Sequence, residues 1–140
     1  MVSTATVEDF FRQFEYASRT ADSERAASLF SDSFLMADPE GVKVIQAGQL
    51  KAGIDQRRKM FQSLGNVSSA LDTVDTTFLD EHYALVKTRW IFQFVVGNGI
   101  KELAISTSYI VAMGGAALKI ILYLNHDSLM TALKQNGITH

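Results

Sequence analysis

The sequence predicts an α+β fold in which helices come first and a long, mostly antiparallel sheet follows. Up to residue 64, apolar residues recur at the spacing of amphipathic helices, whereas residues 67–126 are rich in Val, Thr and aromatic side chains and are divided by glycine turns. Elements segregated in this order give a sheet with helices on one face. A chain of 140 residues can bury one full core, so we expect a single domain over residues 1–140.

Two helices are predicted at the start of the chain. The first covers residues 7–19, and Thr6 with Asp9 forms a capping arrangement at its beginning. Its apolar face consists of Val7, Phe10, Phe11, Phe14 and Ala17. A cap at Asp22 or Ser23 begins a shorter second helix, which ends near Ser31. Because so few residues join them, the two helices must fold back on one another.

Two short strands, residues 34–37 and 42–46, are predicted on either side of the segment Asp38-Pro39-Glu40-Gly41. Asp, Pro and Gly at the first, second and fourth positions are the favoured residues of a type I turn. A third helix is then predicted over residues 48–63, and Gly65-Asn66 ends it.

The remainder of the chain predicts four strands and a final helix. Residues 67–79 alternate poorly, which indicates an irregular or bulged strand. Residues 83–96 alternate well, and the hairpin turn Gly97-Asn98-Gly99 leads into a returning strand over residues 100–113. Another strand covers residues 117–126, and Asp127-Ser128 caps the final helix.

The outer face of this sheet predicts a subunit interface. On the strand of residues 83–96, one set of alternate positions mixes apolar and charged side chains. The set comprises Leu85, Lys87, Arg89, Ile91, Gln93 and Val95. It is too apolar for open water and too polar for a core, so we expect a twofold homodimer formed through the outer sheet face.

Composition argues against several classes of partner and cofactor. A net charge of -2 with scattered basic residues gives no reason to expect nucleic acid or a membrane surface. The basic cluster at residues 56–59 is interpreted as a solvated helix face. Without cysteine, and with His82, His126 and His140 not at ligand spacing, neither a metal nor another cofactor is expected. The N-terminal segment lacks a signal-peptide pattern, so a cytoplasmic protein is the expectation.

The order of these elements resembles the nuclear-transport-factor-2-like superfamily, and within it the SnoaL-like branch. The resemblance rests on two N-terminal helices, the DPxG turn, a third helix and a meander of strands ending in KIILYLNHDSL, and it covers about residues 7–137. It implies a cone, in which a strongly bent sheet wraps around the helices and encloses a pocket. It also implies dimers through the outer sheet face. The superfamily includes a steroid isomerase, polyketide cyclases, a dehydratase and an epoxide hydrolase, beside non-catalytic binding and association modules.

Asp38 is the candidate catalytic residue that the resemblance singles out. In the steroid isomerase the Asp of a DPxG turn is the general base, and by that match Asp38 would be the base here. Tyr109 or Tyr16 would be the hydrogen-bond donor, since the strand segment AISTSYI lacks the expected carboxylate. The turn alone also accounts for the DPEG pattern, so both interpretations of Asp38 remain open.

Our leading hypothesis is a homodimeric domain whose pocket accepts a small, largely apolar molecule. The residues expected to line the pocket are Phe14, Met36, Phe61, Trp90, Phe92, Thr107 and Tyr123. One alternative is a cofactor-independent isomerase, cyclase or dehydratase with Asp38 as base. Another is a dimerisation module whose own bulky side chains fill the pocket.

Overall fold

The computed structural model describes residues 2–139, so His140 lies outside the described residues. The elements are α1 (Thr4–Arg19), α2 (Ser23–Ser28), β1 (Phe30–Asp38), β2 (Gly41–Gln46), α3 (Ala47–Ser63), β3 (Asn66–Phe78), β4 (Tyr83–Val96), β5 (Gly99–Ala112), β6 (Lys119–Asn125) and α4 (Leu129–Gln135). Within this described range, none of the helices is both long enough and apolar enough to cross a bilayer.

The strands form one curled sheet of six strands in the order β2-β1-β6-β5-β4-β3. Strands β3 to β6 form an antiparallel meander, β1 and β2 form a hairpin, and β1 pairs with β6 in parallel. Helix α2 contacts both α1 and α3, and all three helices contact the sheet. The predicted fold class is therefore confirmed: an α+β fold with a strongly bent, mostly antiparallel sheet around N-terminal helices.

The start of α1 differs from the prediction. The helix begins at Thr4 with Ser3 as its cap, because the Ser3 hydroxyl oxygen accepts a hydrogen bond from the backbone N–H of Thr6 at 3.2 Å. The prediction that Thr6 caps the helix was therefore wrong by one turn. The predicted cap of α2 is confirmed at Asp22, whose carboxylate accepts from the N–H of Arg25 at 3.1 Å.

The first strand is longer than predicted, and the third is bulged as predicted. β1 begins at Phe30, in a stretch assigned partly to the second helix, because Phe30 pairs with Ile120 of β6. That partner lies far along the chain, so local sequence does not reveal the pairing. In β3 the register shifts between Asn66 and Ser68 and between Leu71 and Thr73.

Helix α1 is fixed to the concave face of the sheet by aromatic packing and by two side-chain hydrogen bonds to the backbone of β3. The Phe11 ring centroid lies 4.9 Å from that of Tyr109 on β5. At the β3 bulge, the Arg12 guanidinium donates to the Leu71 carbonyl at 2.6 Å, and the Glu15 carboxylate accepts from the Leu71 N–H at 2.7 Å. Both backbone groups of Leu71 are therefore satisfied by α1 where the ladder is interrupted.

The turn between α3 and β3 requires glycine, which gives a stability prediction. Gly65 has φ +92°, and a Cβ atom there would collide with the carbonyl oxygen of Val95. The Gly65 carbonyl also accepts a hydrogen bond from the Val95 N–H at 2.8 Å, so the two backbones cannot separate freely. We expect Gly65→Ala to lower the free energy of unfolding in urea by about 2 kcal/mol or more.

The matched control for this prediction is Gly53→Ala, in the middle of α3. A Cβ atom at Gly53 meets nothing within 4 Å. Alanine there should raise the free energy of unfolding by about 0.5–1 kcal/mol, because glycine is a poor helix former. Equal effects of the two substitutions would contradict the close approach of Gly65 to β4.

Candidate functional site

A cavity of about 630 Å³ lies between the concave face of the sheet and the helices α1, α2 and α3. All seven residues expected to line a pocket lie in its wall, and Tyr109 joins them. Alternate residues of β4 and β5 point to this face, which places Trp90, Phe92, Ile105 and Thr107 side by side. The cavity is thus built from side chains of both sheet and helices.

The cavity has a buried, aromatic end and an exposed mouth. At the buried end, Phe14 of α1 meets Trp90 edge to face, with ring centroids 5.9 Å apart. The mouth is formed by exposed residues of β2 and α3, among them Lys43, Gln49 and Gly53. Because Gly53 has no side chain, the α3 side of the mouth stays open.

Tyr109 supplies a neutral hydroxyl to the buried end. Its side chain is 1% exposed. Burial raises the pKa of the Tyr109 phenol well above its ordinary value of 10.0, and neighbouring Tyr123 adds to the rise; the charge of Arg57 and hydrogen bonds involving Trp90 and Thr88 act in the opposite direction. Tyr109 therefore stays protonated, as a hydrogen-bond donor or acceptor and not as a base.

Arg57 is a cavity residue that sequence reasoning missed. Its guanidinium carbon lies 5.0 Å from the Phe61 ring centroid and 5.5 Å from that of Phe92, and it donates a hydrogen bond to the Tyr123 hydroxyl at 3.3 Å. The basic cluster at residues 56–59 was interpreted as a solvated face. The signal was present, because position 57 falls in the helical stripe of Leu50, Ile54 and Phe61.

The structure places Asp38 outside the cavity wall. Asp38 is exposed in the β1–β2 turn, and its carboxylate accepts from the Glu40 N–H at 2.8 Å. The turn interpretation accounts for these contacts. Among the described residues that line the cavity there is no Asp, Glu or His, so a proton-transfer reaction has no evident base there.

Tyr16 is also outside the cavity. Its side chain is 59% exposed on the outer side of α1, and it is not among the residues of the cavity wall. The structure therefore does not bring Asp38, Tyr16 and Tyr109 together. Of these three candidate catalytic residues, Tyr109 alone faces the cavity.

A serine–histidine pair lies on the outer face of the sheet, away from the cavity. The Ser108 hydroxyl and His126 Nε2 are 2.6 Å apart, in a depression of about 290 Å³ that Lys87 and Arg89 also line. A serine activated by histidine needs a third group to orient the ring. Within residues 2–139 no other side chain is hydrogen-bonded to His126, so the pair lacks that group. No cluster of three His, Asp or Glu suited to a metal occurs in the same range.

The buried state of Tyr109 predicts its behaviour in alkali. In the unfolded protein, Tyr109→Phe should remove one quarter of the tyrosinate absorbance, since the chain has 4 tyrosines. In the folded protein the titration curves of the variant and the wild type should coincide near pH 10, where an ordinary tyrosine ionises, because burial raises the pKa of Tyr109 well above that value. The raised pKa stabilises the fold below about pH 10, and this contribution is lost as the pH rises through the folded-state value. If the folded variant lacked one quarter of the wild-type tyrosinate absorbance near pH 10, the burial of Tyr109 would be contradicted.

Solved structures similar to this chain show the same fold at low sequence identity. An NTF2-like protein with a cystatin-like fold from Novosphingobium aromaticivorans has a TM-score of 0.72 and 12% identity, over 96% of this chain and 87% of that chain. The beta subunit of the benzoate 1,2-dioxygenase from Burkholderia mallei has a TM-score of 0.67 and 13% identity, over 94% of each chain. A putative calcium/calmodulin dependent protein kinase II association domain from Xanthomonas campestris has a TM-score of 0.65 and 14% identity, over 91% and 90% of the two chains.

Comparison by sequence gives the family. No curated protein matches the chain. The family model described as NTF2-like protein (DUF6841) matches residues 3–128, which span both the N-terminal helices and the six-stranded sheet. Placement in the SnoaL-like branch stays a prediction. The match covers most of the chain, and the chain belongs to this NTF2-like family.

Proposed function

We propose that this chain is a homodimeric binding domain whose cavity holds a small, largely apolar molecule. The observation that carries the proposal is the cavity of about 630 Å³ with aromatic and aliphatic walls. Volumes of about 300–1,000 Å³ are typical of small-molecule sites. The alternative was a pocket filled by its own bulky side chains. The cavity weighs against it, because Phe14, Trp90 and Phe92 line the open volume and do not fill it.

The homodimer is proposed from the outer face of the sheet. One continuous row of apolar side chains crosses five neighbouring strands on that face, as the strand register places them side by side. The row consists of Val44, Leu35, Leu122, Ile110 and Leu85. An apolar row of this length favours burial against a partner. Two structural neighbours are named as parts of assemblies, a beta subunit and an association domain.

A neutral probe tests the binding cavity. N-phenyl-1-naphthylamine should bind wild-type protein with a saturable rise in fluorescence, because its uncharged rings fit apolar walls. Gly53→Phe should weaken this binding about tenfold or more. Position 53 lines the cavity, and a Cβ atom added there has nothing within 4 Å.

Gly48→Phe is the matched control for the cavity variant. Gly48 lies on the same helix, also has nothing within 4 Å of an added Cβ, and is not part of the cavity wall. This variant should bind the probe as the wild type does. Binding that is lost equally in both variants, or that is absent from the wild type, would exclude the proposed cavity function.

A surface substitution tests the homodimer. Val44 is 64% exposed in the protomer, so Val44→Lys should leave the fold intact and convert the dimer to a monomer in light scattering. Leu79→Lys, at a loop position that is 56% exposed, should remain dimeric. A wild type that is monomeric at all tested concentrations, or a Val44→Lys variant that remains dimeric, would contradict an interface on the outer face of the sheet.

A further inference from the structure

We infer that the cavity selects a ligand with one carboxylate on an apolar body, and that Arg57 anchors the carboxylate. The inference rests on the proposed binding function and adds the chemical class of the ligand. It follows from the uncompensated positive charge of the cavity wall.

The wall of the cavity is positively charged although the chain as a whole carries a net charge of -2. Three cationic side chains line it, Lys43, Arg57 and Arg58, and of the described residues no acidic one does. A charge in an apolar cavity is costly unless an opposite charge or hydrogen bonds compensate it. A bound anion would supply that compensation.

Of the three cations, Arg57 is the one that is half-buried and has no carboxylate partner among residues 2–139. Arg58 forms an ion pair with Asp55 at 3.3 Å and donates to the Ala21 carbonyl at 3.2 Å. Lys43 is exposed on β2, where water solvates its ammonium group. Arg57 is half-buried, and over residues 2–139 it has one hydrogen bond, to Tyr123, and no carboxylate within salt-bridge distance.

The surroundings of Arg57 orient its guanidinium for a planar anion. The rings of Phe61 and Phe92, at 5.0 and 5.5 Å, hold the group by cation–π contact. A guanidinium has five N–H donors in a fixed fork, and here the Tyr123 hydroxyl uses one. The remaining donors match the two oxygens of a carboxylate.

Tyr123 adds a second contact for the same anion. Its hydroxyl oxygen accepts the hydrogen bond from Arg57, so its own O–H hydrogen is available to donate. A single uncompensated guanidinium neutralises one negative charge. This charge balance favours a monocarboxylate over a phosphate monoester, which carries up to two charges at neutral pH.

The test compares 2-naphthoate with 2-naphthamide, which has nearly the same shape and no charge. Binding is measured by displacement of N-phenyl-1-naphthylamine. Wild-type protein should bind 2-naphthoate at least about tenfold more tightly than the amide. Hydrogen bonds to a charged group raise affinity by about a factor of ten or more. Arg57→Met should abolish this preference, so that the acid and the amide bind the variant with equal affinity whatever its affinity for the neutral probe.

Arg58→Met is the matched control, because Arg58 also lines the cavity but is already paired with Asp55. It should keep the preference for 2-naphthoate. Arg57→Lys retains the positive charge but lacks the forked donors, so it should keep part of the preference for 2-naphthoate over 2-naphthamide. This variant tests the role of Arg57 if Arg57→Met does not fold.

Each contrary outcome overturns a different proposal. Equal affinity for the acid and the amide in wild-type protein, with the neutral probe bound, would overturn the carboxylate inference alone. A preference for 2-naphthoate that survives Arg57→Met would show that Arg57 does not anchor the carboxylate. If 2-naphthoate, 2-naphthamide and the neutral probe all fail to bind wild-type protein, the cavity function and the inference fail together.

Discussion

The packing of α1 against the concave face of the sheet is the contact on which the rest of the structure depends. Phe14 meets Phe30, Trp90 and Tyr109 edge to face, so one side chain joins the helix to β1, β4 and β5. Burying an aromatic side chain of this kind stabilises a fold by about 1.5–3 kcal/mol. Because α1 covers only part of a strongly bent sheet, α3 must cover another part. The space between the two helices and the sheet is the cavity.

The chemistry of the cavity follows from which residues this packing turns inward. Aromatic side chains from strands and helices make the wall apolar, and Tyr109 is buried deeply enough to keep its proton. Arg57 enters because it occupies the apolar stripe of α3, where Phe61 and Phe92 stabilise its charge. A wall with three cationic side chains, hydroxyl groups and no carboxylate among its described residues is suited to hold an anion.

Local patterns predicted most of the fold and most of the aromatic residues of the cavity wall. The bounds of β4 and its hairpin with β5 follow from alternation and a glycine turn, both of which act between near neighbours. The extension of β1 to Phe30 depends on pairing with β6, and such long-range pairing leaves no local mark. The turn at Asp38 has the same sequence whether its carboxylate faces a pocket or solvent, so only the three-dimensional arrangement could decide. Arg57 was missed because its basic neighbours resemble a solvated face.

The central claim is that the cavity admits a ligand, and the tryptophan signal tests it most directly. The chain has 1 Trp, and Trp90 lies in the cavity wall, so the indole N–H gives one assignable resonance. In a nitrogen–proton NMR titration with 2-naphthoate, we expect this resonance to shift saturably, together with backbone signals of α3 near Arg57. An unchanged indole resonance at saturating 2-naphthoate, or shifts confined to the outer face of the sheet, would contradict the account.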